Sequence, residues 1–234
     1  MLLNKYQNAQ AEWAKSNHPT RLALFVHLQA VSCFFSEATP RFIVTVLAVT
    51  VLARMSLALS PGSAGAFCAL EAGVAVATAL YWCFQEWVLH DKLLHAPFEW
   101  FGKDIHSFHH DLPYYHLSVD SLGLAAAWFT VAAAMGLALS PTWAVACTAV
   151  GTYTICGLVY EFAHFISHTK VPLPRQLAAL RQHHMNHHLV SSRHWLAFTL
   201  PWIDSAMGTL PPEGARSIPE AERNHHMYNR QPLV

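Results

Sequence analysis

The sequence predicts an all-α integral membrane protein: a four-helix bundle of two helical hairpins with a cytoplasmic, histidine-rich helical cap. Hydrophobic residues make up 53% of the 234 residues, and charged residues only 12%. A membrane-spanning helix needs about 20 predominantly apolar residues, and four segments approach or reach this length: 42–60, 64–88, 119–139 and 142–163. Ten of the 17 histidines form short clusters at helical spacing, in the segments that end or follow these runs.

Two charged residues interrupt the first two apolar segments, Arg54 and Glu71. A soluble all-α protein with buried helices is the alternative, but four long apolar runs in one short chain favour a membrane protein. The segment 21–36 is too short to span a bilayer comfortably, so we expect an interfacial helix or a short packed one there.

Basic residues predict the orientation in the membrane. The turns at 60–65 and 140–143 contain no Lys or Arg. The positive-inside rule therefore places both termini and the 89–118 loop in the cytoplasm. That side carries Lys5, Lys15, Arg21, Arg41, Lys92, Lys103, Lys170, Arg175 and Arg181.

The composition disfavours other classes of function. The formal net charge is zero, which gives no support for nucleic-acid binding, because proteins that bind nucleic acid usually carry a basic stripe. The five cysteines lie in apolar runs and form no C-x-x-C pair. This pattern argues against a disulfide framework and against a thiolate metal site.

One arrangement occurs twice along the chain. The pentapeptide LALSP stands at 57–61 and again at 137–141, each time at the tip of a predicted helical hairpin. Each hairpin is followed by a helix that ends in spaced histidines, and then by a cluster of the form H-x-x-H-H. We interpret this order as a pseudo-repeat.

Four histidine clusters stand out: H-x4-H at 90–95, H-x2-H-H at 106–110, H-x3-H at 164–168 and H-x2-H-H at 184–188. Residues three or four apart share one face of a helix, so the last three clusters can converge, whereas His90 and His95 need a helix end or a distortion. Helices over 64–95 and 142–168 would be longer than the roughly 30 Å hydrocarbon core. We therefore expect the clusters just above the membrane surface, within reach of a lipid chain.

Ten histidines are too many for one metal ion and suit two ions with about five nitrogens each. Imidazole binds Zn, Cu, Fe and Ni, so the ligand type alone leaves the metal open. A histidine-rich membrane metal-binding or transport protein is therefore an alternative. Transporters place their ligands near the bilayer midplane, whereas these clusters lie at helix ends and in loops. Expected outside the ligand set, as orienting or surface residues, are His116, His183, His194, His225 and His226.

In this order, the four clusters resemble the fatty acid hydroxylase / sterol desaturase superfamily of membrane di-iron, histidine-rich enzymes. The resemblance covers roughly residues 80–210 and includes YEFAHFISHT at 160–169 and HHMNHHLVSSRHWLAFTLPWIDSAMGT at 183–209. The H-x4-H and H-x3-H forms are most similar to the fatty acid 2-hydroxylase-like branch. Residues 193–197 depart from the asparagine and glycine that sterol desaturase-type members often have, so we expect the substrate pocket to differ there.

The resemblance implies that ten histidines hold two Fe ions, with Zn as an alternative occupant of the purified protein: His90, His95, His106, His109, His110, His164, His168, His184, His187 and His188. It also implies a catalytic role for Tyr160, one turn before His164; an interfacial aromatic residue is the alternative. Glu86 and Glu161 are expected either to hydrogen-bond a ligand histidine or to have solvated or packing roles. Asp204 is expected to fix the loop that closes the site rather than to bind metal.

The implied function is that of an O2-dependent membrane di-iron oxidase that hydroxylates an unactivated C–H bond of a lipid, with a fatty acyl chain favoured. A desaturase or a carotenoid- or sterol-type hydroxylase of the same superfamily is the alternative, because nearly the same ligands serve these reactions. Electrons would come from a separate ferredoxin- or cytochrome b5-type donor with its reductase. The expected domains are an N-terminal cytoplasmic or interfacial segment at 1–41, a membrane di-iron hydroxylase domain at 42–210 and a polar C-terminal tail at 211–234.

Overall fold

The computed structural model describes residues 19–60, 68–111, 119–169 and 171–212. These residues form helices and contain no strand, which confirms the predicted all-α class. A π-helical turn (His90–Leu94) directly follows the third helix. In chain order the α-helices are α1 (Pro19–Ser36), α2 (Ala38–Leu59), α3 (Ala69–Leu89), α4 (Phe101–Asp111), α5 (Leu122–Leu139), α6 (Trp143–Ser167), α7 (Arg175–Leu189) and α8 (Trp202–Met207).

Three of the described helices, α2, α5 and α6, are long and apolar enough to cross a membrane. Many of their apolar side chains are exposed, as Leu52 is at 66%, and lipid would cover such surfaces in a bilayer. α3 covers most of the predicted segment 64–88 and includes Glu71 and Glu86. Its described residues do not meet the requirements of length and apolar composition that the three candidate spans meet. The four-helix bundle therefore stays a prediction.

Local chemistry explains where these helices begin and end. α5 follows Ser121, whose hydroxyl accepts the Leu124 N–H at 3.3 Å, and such a cap satisfies one of the free N–H groups of the first turn. Thr142 caps α6 in the same way, with a distance of 3.2 Å. α2 ends at Leu59 and α5 at Leu139, the same leucine of the repeated LALSP. The two helix ends therefore agree with the pseudo-repeat.

The chain divides into two compact units. The first consists of Met1–Glu37, Glu86–Val119 and Phe162–Val234, and the second of Ala38–Gln85 and Asp120–Glu161. All four histidine clusters belong to the first unit, and most of the residues in the three candidate spans belong to the second.

Aromatic rings and one glycine pack the second unit. Ile43, Phe129 and Tyr153 form a buried core. The rings of Trp82 and Tyr153 meet edge to face, with centroids 4.6 Å apart. Gly157 permits this packing, because a Cβ at that position would lie 2.7 Å from the Phe129 ring and 3.3 Å from the Trp82 ring.

In the first unit, α1 packs through a fully buried ring. The Phe34 centroid lies 5.2 Å from that of Phe162 and 5.5 Å from that of Phe165, both on α6. The segment 21–36 therefore forms a short packed helix, which is one of the two alternatives expected for it.

Some expectations concern residues outside the described part of the chain. His116 and the pair His225 and His226 lie there, as do the first 18 residues and the polar tail beyond residue 212. The domain limits at 41 and 211 likewise stay predictions.

Candidate metal centre

The π-helical turn brings His90 and His95 together. In a regular α-helix, residues five apart point in different directions. Here the His95 N–H donates to the His90 carbonyl at 3.1 Å, which is the i to i+5 bond of a π-helix. The two imidazole centroids lie 5.0 Å apart. The structure thus supplies the distortion that the spacing required.

The ten predicted ligand histidines form two groups of five. In each group, one ring nitrogen of every member lies within 4.8 Å of the others. We call these groups the first cluster (His90, His95, His106, His110 and His187) and the second cluster (His109, His164, His168, His184 and His188). The division agrees with the expectation of two sets of about five nitrogens.

Each H-x-x-H-H helix contributes to both clusters. α4 gives His106 and His110, one turn apart, to the first cluster and His109 to the second. α7 does the reverse, giving its i, i+4 pair to the second cluster and His187 to the first. An i, i+4 pair shares one helix face, and the histidine adjacent in sequence to one member of the pair is rotated about 100° from that member around the helix. Each half of the pseudo-repeat therefore places four of its histidines in one cluster and the fifth, His109 or His187, in the other.

In the first cluster the Nε2 atoms face one another. His106 Nε2 lies 3.1 Å from that of His90 and 3.0 Å from those of His95 and His110. His187 Nε2 lies 3.1 Å from the Nε2 atoms of His95 and His110. One imidazole nitrogen carries at most one proton, so hydrogen bonds alone cannot satisfy all these contacts.

Backbone carbonyls define the tautomer of two members. His90 Nδ1 lies 2.6 Å from the Leu196 carbonyl oxygen, and His187 Nδ1 lies 2.9 Å from the His194 carbonyl oxygen. A carbonyl only accepts, so each Nδ1 carries the proton and each neutral ring directs its Nε2 lone pair into the cluster. Such lone pairs are what a metal ion binds.

The second cluster has the same form and is largely buried. His164 Nε2 lies 3.1 Å from His109 Nε2. His184 Nε2 lies 2.8 Å from that of His168 and 3.0 Å from that of His188. All of these rings except that of His188 belong to buried residues.

A metal ion fits both clusters by distance and by donor chemistry. Metal–imidazole bonds are about 2.0–2.1 Å long for zinc, so two nitrogens bound at right angles lie roughly 3 Å apart. The adjacent Nε2 atoms are 2.8 to 3.1 Å apart in these clusters. Neutral imidazoles suit divalent first-row metals.

Burial keeps the imidazoles in the neutral form. Desolvation lowers the pKa of His95, and it lowers the pKa of His110 to about 3 with a further contribution from His95. Desolvation and neighbouring histidines hold the pKa of His106 and of His187 well below the ordinary value. Metal ligands must be deprotonated, so this environment favours the form that binds.

Other predicted residues lie outside the clusters. Tyr160 belongs to the second unit, where its ring centroid is 6.1 Å from that of Trp82; its catalytic role stays a prediction. His183 Nε2 lies 2.7 Å from Asp204 Oδ2, and this histidine belongs to neither five-histidine cluster. Glu161 accepts the backbone N–H of Asp120 at 3.2 Å.

Sequence reasoning missed the role of residues 194–199, which we call the support loop. Glu86 accepts two backbone N–H groups of this loop, at 2.5 and 2.8 Å, rather than serving a ligand histidine directly. Asp204 accepts two others, at 2.9 and 3.0 Å, and so fixes the loop as expected. The carbonyls that orient His90 and His187 belong to the main chain, so no residue type marks them in the sequence.

The helical fold, the three candidate spans and the two five-histidine clusters define a histidine-rich membrane protein equipped to bind metal ions. The sequence pattern of the family described as "Fatty acid hydroxylase" matches residues 75–209, more than half of the chain. The chain therefore belongs to the fatty acid hydroxylase family and is an oxidoreductase that acts as a hydroxylase.

A comparison with solved structures agrees with this fold. The chain is similar to "Full length scs7p (only hydroxylase domain visible)", with a TM-score of 0.57 and 21% sequence identity over 75% of this chain and 67% of that chain. At this identity the similarity shows the shared fold. No curated protein sequence matches the chain significantly.

Proposed function

We propose that this hydroxylase is an O2-dependent di-iron oxidase that acts on an unactivated C–H bond of a lipid, with a fatty acyl chain as the favoured substrate. One O2, two electrons and two protons convert R–H into R–OH and one water. The observation that carries the proposal is the pair of five-imidazole clusters in a chain of the fatty acid hydroxylase family.

The ten histidines of the two clusters are the proposed ligands of two Fe ions. Neutral imidazoles suit iron and zinc alike, but zinc has no redox couple. Iron, when bound, supplies the redox chemistry that O2 activation needs. Zinc is accordingly the occupant expected in an inactive preparation.

The chain's own residues orient the ligands and exclude water. The His194 and Leu196 carbonyls hold the Nδ1 protons of His187 and His90 and so leave the Nε2 atoms ready to bind. Burial of the second cluster keeps water from it, which protects reactive species from side reactions. Tyr160 is proposed as a further catalytic side chain on the basis of the family resemblance.

The membrane context supports a lipid substrate. α2, α5 and α6 are the candidate spans, and the distribution of Lys and Arg supports a cytoplasmic position for the clusters and for both termini. Electrons are proposed to come from a separate cytoplasmic donor of the ferredoxin or cytochrome b5 type with its reductase. The proposed hydroxylase domain, residues 42–210, contains all ten histidines.

Iron content and product test the proposal together. Protein purified anaerobically from cells fed iron-57 should hold close to two irons per chain, and its Mössbauer spectrum should show a coupled pair. Lipids of cells grown under 18O2 should contain hydroxylated acyl chains that carry one 18O. His188→Ala should abolish the product, whereas Asp104→Asn, at an exposed position of α4, should retain it.

Two results would change the proposal. A chain that holds zinc alone, with no iron even after anaerobic reduction, contradicts the redox mechanism and favours the metal-handling alternative. New double bonds without incorporated 18O would replace hydroxylation by desaturation.

A further inference from the structure

The support loop holds two histidines of the first cluster through its main chain. The His194 carbonyl accepts from His187 and the Leu196 carbonyl from His90. Between them, Trp195 has a left-handed backbone with φ 56°. A bulky residue rarely adopts this conformation and keeps it only where the surroundings enforce it. The orientation of both imidazoles therefore depends on a strained loop.

Asp204 enforces that loop conformation. Its side chain is fully buried. Oδ1 accepts the Leu196 N–H at 2.9 Å and the Thr209 hydroxyl at 2.5 Å. Oδ2 accepts the Ala197 N–H at 3.0 Å and lies 2.7 Å from His183 Nε2. Both oxygens act as acceptors. An asparagine at this position would replace one of them with an NH2 group, which is itself a donor and cannot accept the hydrogen bond of the donor that faces it.

The second cluster receives a different kind of contact from the same loop. The Phe198 ring centroid lies 5.0 Å from that of His184 and 5.9 Å from that of His164. Ring packing of this kind fixes no tautomer. Within the described part of the chain, the buried Nδ1 atoms of His184 and His188 have no hydrogen-bond partner. By contrast, the His194 and Leu196 carbonyls form main-chain hydrogen bonds with His187 and His90 of the first cluster.

We propose that Asp204 is a positioning residue for the first metal position and not for the second. The inference rests on the proposed function, because it takes both clusters as metal sites. Asp204 acts through the carbonyls of His194 and Leu196, which aim the Nε2 lone pairs of His187 and His90. Without the carboxylate the loop relaxes, these two rings lose their orientation, and the first cluster binds metal more weakly.

Co2+ binding separates the two positions without any need for activity. His168→Ala with His188→Ala leaves only the first cluster complete, and His95→Ala with His110→Ala leaves only the second. Each full-length chain is titrated in detergent with Co2+ against a competing chelator, and the visible Co2+ spectrum is recorded. Asp204→Asn should weaken binding about 10–100-fold and change the spectrum where only the first cluster is complete. Where only the second is complete, the change should stay within about threefold.

Two further variants keep the test decisive if Asp204→Asn does not fold. Thr209→Val removes the hydroxyl that donates to Asp204 and should produce a smaller loss, again at the first cluster alone. Thr209→Ser keeps that hydroxyl and should bind like the parent chain. Glu99→Gln, in an exposed ion pair with Lys103, is the control for a change of charge.

The possible failures are distinguishable. Equal losses at both clusters would overturn the inference, because a purely structural Asp204 would disturb both alike. An unchanged first cluster would overturn it as well. A wild-type chain that binds no Co2+ at either cluster would overturn the proposed function itself, and with it this inference.

Discussion

Arg54 and Glu71, the charged residues that interrupt two predicted membrane segments, are paired in the structure. Arg54 Nε and Nη2 donate to the two Glu71 oxygens at 2.8 and 2.9 Å. The Thr148 hydroxyl donates to Glu71 Oε2 at 2.6 Å. Both charged residues are buried, and buried charges are tolerated when they are paired. The two charges are therefore compatible with long apolar helices.

Arg54→Leu should destabilise the chain by about 3–5 kcal/mol, because it leaves a buried carboxylate without its cation. Unfolding in detergent, followed by circular dichroism, measures the loss. Lys103→Gln breaks the exposed Glu99–Lys103 pair and should cost less than about 1 kcal/mol. Replacing both members of the buried pair with leucine should recover most of the stability. Similar losses from Arg54→Leu and Lys103→Gln would argue against this account.

The sequence identified the ten histidines of the clusters but not how they divide. His109 stands in the first H-x-x-H-H motif but belongs to the second cluster, and His187 does the reverse. Helical spacing allowed His106 to pair with either His109 or His110. The packing of α4 against its neighbours determines which of these two histidines shares a cluster with His106. The role of the support-loop carbonyls could not be predicted either, because every residue has a backbone carbonyl and the sequence does not show which carbonyls accept a hydrogen bond from a histidine.

His109→Ala should therefore weaken Co2+ binding at the second cluster and spare the first. His106→Ala, on the same helix, should do the opposite. A lost ligand should cost at least the roughly 10–100-fold that a lost second-shell partner costs. Co2+ titration of chains with a single complete cluster measures both effects. If His109→Ala weakens Co2+ binding at the first cluster, the assignment of His109 to the second cluster is wrong.

At the scale of helices, apolar patterning located the long elements, and the helices extend beyond the apolar segments that they contain. The apolar segment ends at 163, and the helix is expected to continue to 168; α6 (Trp143–Ser167) agrees with this expectation. Hydropathy falls at His164, whereas the backbone hydrogen bonds of the helix continue through it. Periodicity also could not show which helices meet, because contacts between helices depend on side-chain volume as well as on polarity.

Gly157→Ala tests one such helix contact. The new Cβ would lie 2.7 Å from the buried Phe129 ring, so the core of the second unit must shift, at a cost of about 1–3 kcal/mol. Gly73→Ala in α3 is the matched control, because no atom lies within 4 Å of its new Cβ. That variant should gain about 0.5–1 kcal/mol from lower backbone entropy. Thermal unfolding of both variants in detergent should show opposite signs, and two shifts of the same sign would contradict the packing.

At the scale of the whole molecule, the clusters connect the π-helical turn, α4, α6, α7 and the turn after α6. A ligand at about 100 times its Kd stabilises a protein by about 2.7 kcal/mol. One kcal/mol shifts the melting temperature of a chain of this size by about 2–4 °C. Removing both proposed ions with a chelator, each contributing this amount, should therefore lower the melting temperature by roughly 10–20 °C.

The reversal of this shift distinguishes metal loss from damage. Fe2+ added anaerobically should restore the original melting temperature. A chain with His106→Ala and His184→Ala, which has lost one ligand from each cluster, should show a much smaller shift with the chelator. Identical melting curves for the metal-free and the loaded chain would show that the metal does not contribute to the stability of the fold.

The proposed orientation makes a prediction about which side each turn faces. Ser140 follows α5 at a turn without Lys or Arg, whereas Asp104 is exposed on α4, within the basic 89–118 loop. The positive-inside rule places these residues on opposite sides of the membrane. None of the five cysteines forms a disulfide, so all of them can be replaced by serine or alanine before one is introduced.

In intact bacterial cells, a membrane-impermeant maleimide should label Ser140→Cys, and it should label Asp104→Cys only after permeabilisation. The electron donors proposed for this hydroxylase are cytoplasmic, so the side that carries the clusters has to be the side they reach. The reversed pattern would place the clusters outside the cell and exclude such donors. Labelling of both positions in intact cells would mean that Ser140 and Asp104 lie on the same side of the membrane. That result would contradict the predicted membrane hairpins.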